Sequence, residues 1–394
     1  MKIQFYHLFI YLFICSSCYA QEQSSTPPGV VVNHISKETG TYIGSPGLCV
    51  LPDGSYVASH DEFGPKSSEY RSAKTRIFLS EDKGESWKEI SQIDGQFWSN
   101  LFYHNGALYI MGTNKHHGNL IIRKSDDRGY TWSIPYSPET GLILEGEYHT
   151  APMPMTYHKG RLWRAVEYAT GKSTQWGKRY GAMVVSIPEN ADPMNAANWT
   201  KTNYLSYDST YLDGKFGAWL EGNAVVDRQG QMLDILRVAV PVGHEEYAAI
   251  VKIDETGTKA TFDPETGFIK WPGGCKKFTI RYDDVSDRYW MLTNYVKEEF
   301  ADLNPGSVRN LQVVCSSKDL YDWEIHEKLL EHPDVIYHGF QYVEWQFEGD
   351  DIIFLSRTAY DDEDGGARNN HDANYLTFHR IENFRQLSKN KDGK

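Results

Sequence analysis

Histidine, tyrosine and arginine recur at the polar ends of otherwise apolar segments of this sequence. "GTNKHHGN" carries Asn114, His116 and His117, "GEYHTAP" carries Tyr148 and His149, and "GRLWRAVEY" carries Arg164, Glu167 and Tyr168. "ASHD" adds His60, "SRTAYDD" adds Arg357 and "HDAN" adds His371. Imidazole and phenol groups hold and pass protons, and a planar guanidinium grips a carboxylate through two parallel hydrogen bonds. Proton transfer beside a bound anion is the chemistry these residue types offer. The plainer alternative is a hydrogen-bonded structural ring for each histidine and a salt bridge to Glu167 for Arg164. "HDAN" reads equally as structural or as substrate-contacting.

For such residues to meet, the segments that end in them must converge. Helix signals are scarce, and short alternating or apolar runs are bounded by Gly, Asn, Asp or Pro, the pattern of an all-β chain. Hairpins turn at Asp53-Gly54, Asn105-Gly106 and Lys159-Gly160, and three more follow within Asn223–Val238, Phe278–Asn294 and Tyr342–Tyr360. "SEDKGESW" (Ser80–Trp87) returns as "SDDRGYTW" (Ser125–Trp132), the two starting 45 residues apart, and "SSKDLYDW" (Ser316–Trp323) is a copy without its Gly. Each octet has turn chemistry: Asp accepts backbone N–H groups, Gly takes a positive φ, and Trp packs beneath. A repeat of this length is in the range of propeller blades. A single all-β propeller over residues 31–388 is therefore expected. Its 374 residues beyond Ala20, shared among seven units, give about 53 each, so seven blades are expected. A propeller would gather the strand-end residues at one face.

The chain opens with one Lys, a short apolar run and "CYA", which predicts a signal peptide over 1–20 cut after Ala20 and a flexible leader over 21–30. Periplasmic or secreted protein is expected; lipid anchoring at Cys18 is the alternative. Cys49, Cys275 and Cys315 remain after cleavage, an odd set without metal spacing, read as buried small hydrophobes. The formal charge of −13 argues against a nucleic-acid surface, and no stretch is apolar for long enough to span a membrane. Tyr and Trp are abundant, as in many exported sugar-handling proteins. A monomer acting on a glycan or oligosaccharide, with no required cofactor, is expected. The acidic loop "YDDEDGG" (Tyr360–Gly366) leaves structural calcium open, though its spacing is not that of an EF-hand.

"YIGSPGLCVLPDGSYVASHDEFGP", "EYHTAPMPMTYHKGRLWRAVEY", "WLEGNAVV", "DRYWMLTN" and "HDANYLTFHRIENFR" together resemble the BNR/Asp-box proteins that gut Bacteroides-type bacteria use for plant glycan breakdown. The resemblance runs from about His34 to Arg385. It implies a propeller that cleaves the L-rhamnose-α-1,4-D-glucuronate cap of arabinogalactan side chains, as a lyase or as an α-L-rhamnosidase; ulvan lyases are more distant. A lyase must neutralise the glucuronate carboxylate, remove the C5 proton and protonate O4, on one side of the ring. The related lyases imply proton transfer by His117 and by Tyr148 or His149, with Arg164 on the carboxylate. Asn114, His60, Glu167, Tyr168 and His371 would contact substrate. The rhamnosidase uses a first-blade histidine on the opposite face; "KETGTYIGSP" has none, leaving only His34 and His60, which favours the lyase. Sialidases share the Asp box but begin an arginine triad with Arg-Ile-Pro, whereas "TRIF" (Thr75–Phe78) lacks the Pro. A sialidase-like hydrolase and a non-catalytic glycan-binding propeller complete the alternatives.

Overall fold

Antiparallel strands follow one another as hairpins and meanders in the computed structural model, which describes residues 26–170 and 173–392. The expected signal segment lies outside the described residues. Blade 1 comprises Tyr42–Val50, Tyr56–Phe63, Lys74–Ser80 and Lys88–Asp94. Blade 2 comprises Phe97–His104, Ala107–Thr113, Gly118–Ser125 and Leu142–His149, and blade 3 Thr156–His158, Arg161–Tyr168, Gly181–Pro188 and Thr200–Lys201. Blade 4 comprises Ala218–Val226, Met232–Ala239 and Tyr247–Ile253, with Ala260–Thr261 and Phe268–Lys270 sharing its outer edge. Blade 5 comprises Thr279–Asp283, Arg288–Asn294, Leu311–Ser317 and Trp323–Glu331. Blade 6 joins Gly339–Glu348, Asp351–Ala359 and Tyr375–Ile381 to the N-terminal strand Val30–His34, so the two ends of the chain close the ring. Blades 2 and 3 share one hydrogen-bonded sheet because Glu167 pairs with His149 and Tyr168 with Tyr148.

The architecture is a β-propeller, but of six blades and not the expected seven. The six hairpins legible in the sequence are the inner strand pairs of these six blades. No seventh unit exists among the described residues: the second octet links the third and fourth strands of blade 2, and chain closure completes blade 6. Dividing the length evenly misled because blade 4 and the 202–217 connection consume extra residues.

Apolar packing confirms the count. Six large buried clusters occupy the six seams between blades: Val57 and Ile110 between blades 1 and 2, Ile122 and Val185 between 2 and 3, Trp163 and Trp219 between 3 and 4. Ile250 and Met291 fill the next, Trp290 and Trp345 the fifth, Tyr56 and Leu355 the last. The octets anchor this packing. In each of the first two, Asp82 or Asp127 accepts from the backbone and hydroxyl of the residue four later, and Ser80 or Ser125 accepts from the Gly amide. Trp87 then enters the 6–1 seam and Trp132 the 1–2 seam. In the third copy Leu320 stands at the Gly position with φ 75, and Trp323 packs 4.9 Å from Trp271. The three cysteines are free and buried. No helix of the described residues is long and apolar enough to cross a membrane.

One irregularity recurs in the innermost strands. Register slips by one residue between Ile43 and Pro46, Phe97 and Asn100, Leu220 and Asn223, and Gln341 and Glu344. In three of these bulges a non-glycine residue is left-handed: Trp98 (φ 47), Glu221 (φ 57) and Tyr342 (φ 52). Such backbone costs about 1–3 kcal/mol per residue and re-aims a side chain that regular alternation would send elsewhere.

Candidate active site

All four bulges open onto one cavity of about 410 Å³, where the inner strands begin. That volume lies within the ~300–1,000 Å³ usual for small-ligand sites. Its two sides differ in chemistry. One carries Arg237, Arg309 and Arg357 with Glu221 and Tyr342; the other carries Asp61, Trp98, His116, His149, Tyr180 and the exposed Trp176.

On the basic side, Arg237 Nη1 donates to Glu221 Oε2 at 2.8 Å, and Tyr342 is an electrostatic neighbour of the same guanidinium. Burial opposes ionisation of Glu221, yet Arg237, with help from His149 and Arg309, holds its carboxyl below the usual value. The guanidinium carbons of Arg357 and Arg309 lie 4.7 and 5.6 Å from the Tyr342 ring centre. Arg309 is 4% exposed, and its Nη1 has no partner in the protein. Burial lowers the Arg309 pKa to about 10, and the neighbouring Arg237 and Arg357 act in the same direction. Three cations facing one ionised carboxylate make an anion site in a chain whose overall charge is −13.

Asp61 supplies a group of the opposite kind. Burial pushes its carboxyl up to about 8, although the amides of Trp98 and Ser99 and the charge of Arg357 favour the ionised form. The hydrogen bonds support a neutral acid independently. Thr75 Oγ1 lies 2.7 Å from Asp61 Oδ1 and 2.8 Å from the Gln96 carbonyl. A hydroxyl has one proton and a carbonyl only accepts, so satisfying both contacts requires the proton on Asp61. Asp61 Oδ2 accepts from the Trp98 amide at 2.6 Å and so pins the bulge of the next blade.

Of the residues singled out from sequence, His116, His149, Arg357 and His371 line this cavity. His149 Nδ1 lies 2.6 Å from Glu167 Oε2, and its ring meets Trp98 edge-on at 4.3 Å. His371 is bonded to Asp372 at 2.8 Å and touches Arg357. Glu167 stands behind His149. His117 is outside the cavity lining: its Nε2 pairs with Tyr180 Oη at 2.9 Å, and burial with the charges of His149, His116 and Arg179 pushes its pKa to about 2. Tyr148 is buried between blades 2 and 3 against Tyr168, which also packs on Tyr204. Asn114 Oδ1 caps a turn by accepting from Asn119, and His60 is buried between Asn33 and the Asp61 carbonyl.

Arg164 does not face the cavity. It is fully buried, and its guanidinium donates to the carbonyls of Ala151 and Met153 and to Thr150 Oγ1, tying down the turn before blade 3. The expectation that it shares a pocket with His117 and holds a substrate carboxylate is therefore corrected: that position belongs to Arg237, Arg309 and Arg357. Sequence reading also passed over Asp61, Glu221 and Tyr342 as functional residues. A signal was present in "AWLEGNAVV" and "DILRVAV", where one charge interrupts an apolar strand and demands a reason.

Two further cavities, sharing Tyr157, Arg281 and Phe347, lie at the opposite end of the inner strands and have no lining residue in common with the first. In the acidic loop, Asp362 accepts from Asn374, Asp364 and Gly366 and pairs with His34. Among the described residues, no group of three or more His, Cys, Asp or Glu is arranged to hold a metal ion.

Fold and site define a six-bladed propeller with an arginine-lined pocket. No protein-family model matches the sequence, and a search of curated proteins finds no match. Solved structures do match in fold. A Hadza microbial sialidase aligns at 13% identity with a TM-score of 0.60, over 90% of this chain and 68% of its own. An α-L-arabinofuranosidase of Fusarium graminearum aligns at 11% identity and TM-score 0.59, over 93% and 99%. An α-L-arabinanase of Penicillium chrysogenum aligns at 13% identity and TM-score 0.55, over 90% and 98%. The propeller is one that glycan-cleaving proteins also adopt.

Proposed function

We propose that the chain is an exo-acting glycoside hydrolase that removes a terminal carboxylate-bearing sugar, with Tyr342 as nucleophile. The observation that carries this is Tyr342 set beside the Arg237–Glu221 pair, in one cavity with two further arginines and a neutral Asp61. A phenol suits such a site. A carboxylate nucleophile would be repelled by the substrate's own charge, whereas Tyr342 approaches neutral and gives its proton to Glu221 as it attacks. The bond from the anomeric carbon to the leaving oxygen breaks, and that oxygen takes the Asp61 proton, held against Thr75 until then. Water then attacks the glycosyl–tyrosine, gives a proton to the Asp61 carboxylate, and Tyr342 recovers its own from Glu221. Two displacements retain the anomeric configuration.

Because the arginines crowd the Tyr342 ring, the bound carboxylate lies beside the attacked carbon. This favours a 2-ulosonic acid over a uronic acid, in line with the sialidase among the similar folds. A second reading, β-elimination at a glucuronate, draws support from the His149–Glu167 contact, a base with its orienting carboxylate facing the same cavity. Incubation with an aryl α-sialoside and, separately, with a rhamnosyl-glucuronate glycan separates these readings. Release of the aryl alcohol with free ulosonic acid supports the hydrolase. Absorbance of an unsaturated uronate, with no action on the sialoside, replaces it with the lyase.

A further inference from the structure

Glu167 is 1% exposed and lies beneath the cavity, yet it holds groups from two neighbouring blades. Oε2 is 2.6 Å from His149 Nδ1, at the end of blade 2, and Oε1 accepts the Gly222 amide at 3.2 Å, in the innermost strand of blade 4. Gly222 follows Glu221, the left-handed residue of that bulge (φ 57). The backbone there has no slack, since a Cβ on Gly222 would lie 2.0 Å from Asp234 Oδ1. Both Asp234 oxygens are buried without hydrogen-bond partners, so Glu167 alone among the nearby carboxylates spans the two groups.

We propose that Glu167 is a positioning residue that couples the His149 imidazole to the Glu221 bulge. One oxygen fixes a proton on His149 Nδ1, leaving Nε2 for the oxygens of a bound sugar. The other oxygen secures the amide next to Glu221 and so sets the direction of the base. Blade 1 contains the same brace in simpler form, Asp61 accepting the amide of left-handed Trp98; Glu167 adds a second, titratable partner. The coupling to catalysis rests on Glu221 acting as the base.

Glu167→Gln tests it in the full chain. The amide oxygen still accepts from Gly222, but the amide nitrogen must donate to His149 Nδ1, which moves the imidazole proton to Nε2. Nitrogen-15 NMR of the imidazoles should show Nδ1 protonated in the wild type and Nε2 alone protonated in the variant. On the aryl sialoside kcat should fall on the order of 10²-fold, with Tm little changed and Glu167→Asp recovering part of the loss. An unchanged tautomer, or a variant with wild-type kcat and pH profile, overturns the proposal. If the wild type leaves the sialoside intact, the hydrolase reading fails by itself, while the nitrogen shifts still decide whether Glu167 sets the tautomer.

Discussion

Arg309 and Asp61 show how burial decides chemistry at single residues. The Arg309 Nη1 is out of water and unpaired within the protein, so a carboxylate ligand would satisfy it directly. Hydrogen bonds to charged groups contribute about 1.5–3 kcal/mol, and Arg309→Lys, which cannot offer the planar fork, should raise KM roughly 10- to 100-fold; an unchanged KM places the anion elsewhere. Asp61 is the reverse case, an acid kept neutral. Its pKa rises from 3.8 in the open chain to about 8 when folded, so between these values the native form keeps a proton that the unfolded form has lost. Stability from this group therefore falls as pH rises through that window. Asp61→Asn should gain Tm relative to the wild type, by a margin that grows from pH 4 to pH 8, and should lose turnover along with the alkaline limb near pH 8. Thermal unfolding across pH would expose the error if the margin shrank instead.

At the scale of strands and turns, the octets and the bulges divide the labour between stability and function. Asp127 binds the Thr131 amide and hydroxyl and the Ser125 hydroxyl at a turn remote from the cavity. Asp127→Ala should cost about 1–2 kcal/mol and lower Tm without altering kcat; a catalytic defect at unchanged Tm would mean the turn reaches the site. These turns and the six hairpins were legible because Gly, Asp and Asn at turn positions are demanded by local backbone geometry alone. The bulges were not. Period-two alternation is the reading frame for strands, and one extra residue resets it within "FWSNLF", "WLEGNA" and "FQYVEW", hiding which side chains face the axis. His149 and His371 were found because they lie near strand ends, outside that frame. Arg164 was misplaced because a buried arginine satisfying backbone carbonyls looks the same in sequence as one awaiting a ligand.

The whole molecule is a ring, and its closure depends on a single strand from the other end of the chain. Val30–His34 pairs with Tyr375–Ile381 from Val30 opposite Phe378 to His34 opposite Tyr375. Removing residues 26–34 would leave a bare strand edge on blade 6, so a lower Tm and growing light scatter are expected; unfolding at the wild-type temperature would show that closure is dispensable. The ring also explains why residues as distant in sequence as Asp61 and Tyr342 share a pocket: blades 1 and 6 are neighbours. The most direct measurement of the proposed chemistry uses the Asp61→Ala variant with an aryl α-sialoside. Its good leaving group needs no acid, but the second step lacks its base, so the glycosyl–enzyme should accumulate. Peptide mass spectrometry should then find one glycosyl unit on the fragment bearing Tyr342, together with a burst of aryl alcohol. An unmodified Tyr342, with unsaturated uronate appearing from a rhamnosyl-glucuronate glycan instead, would contradict it.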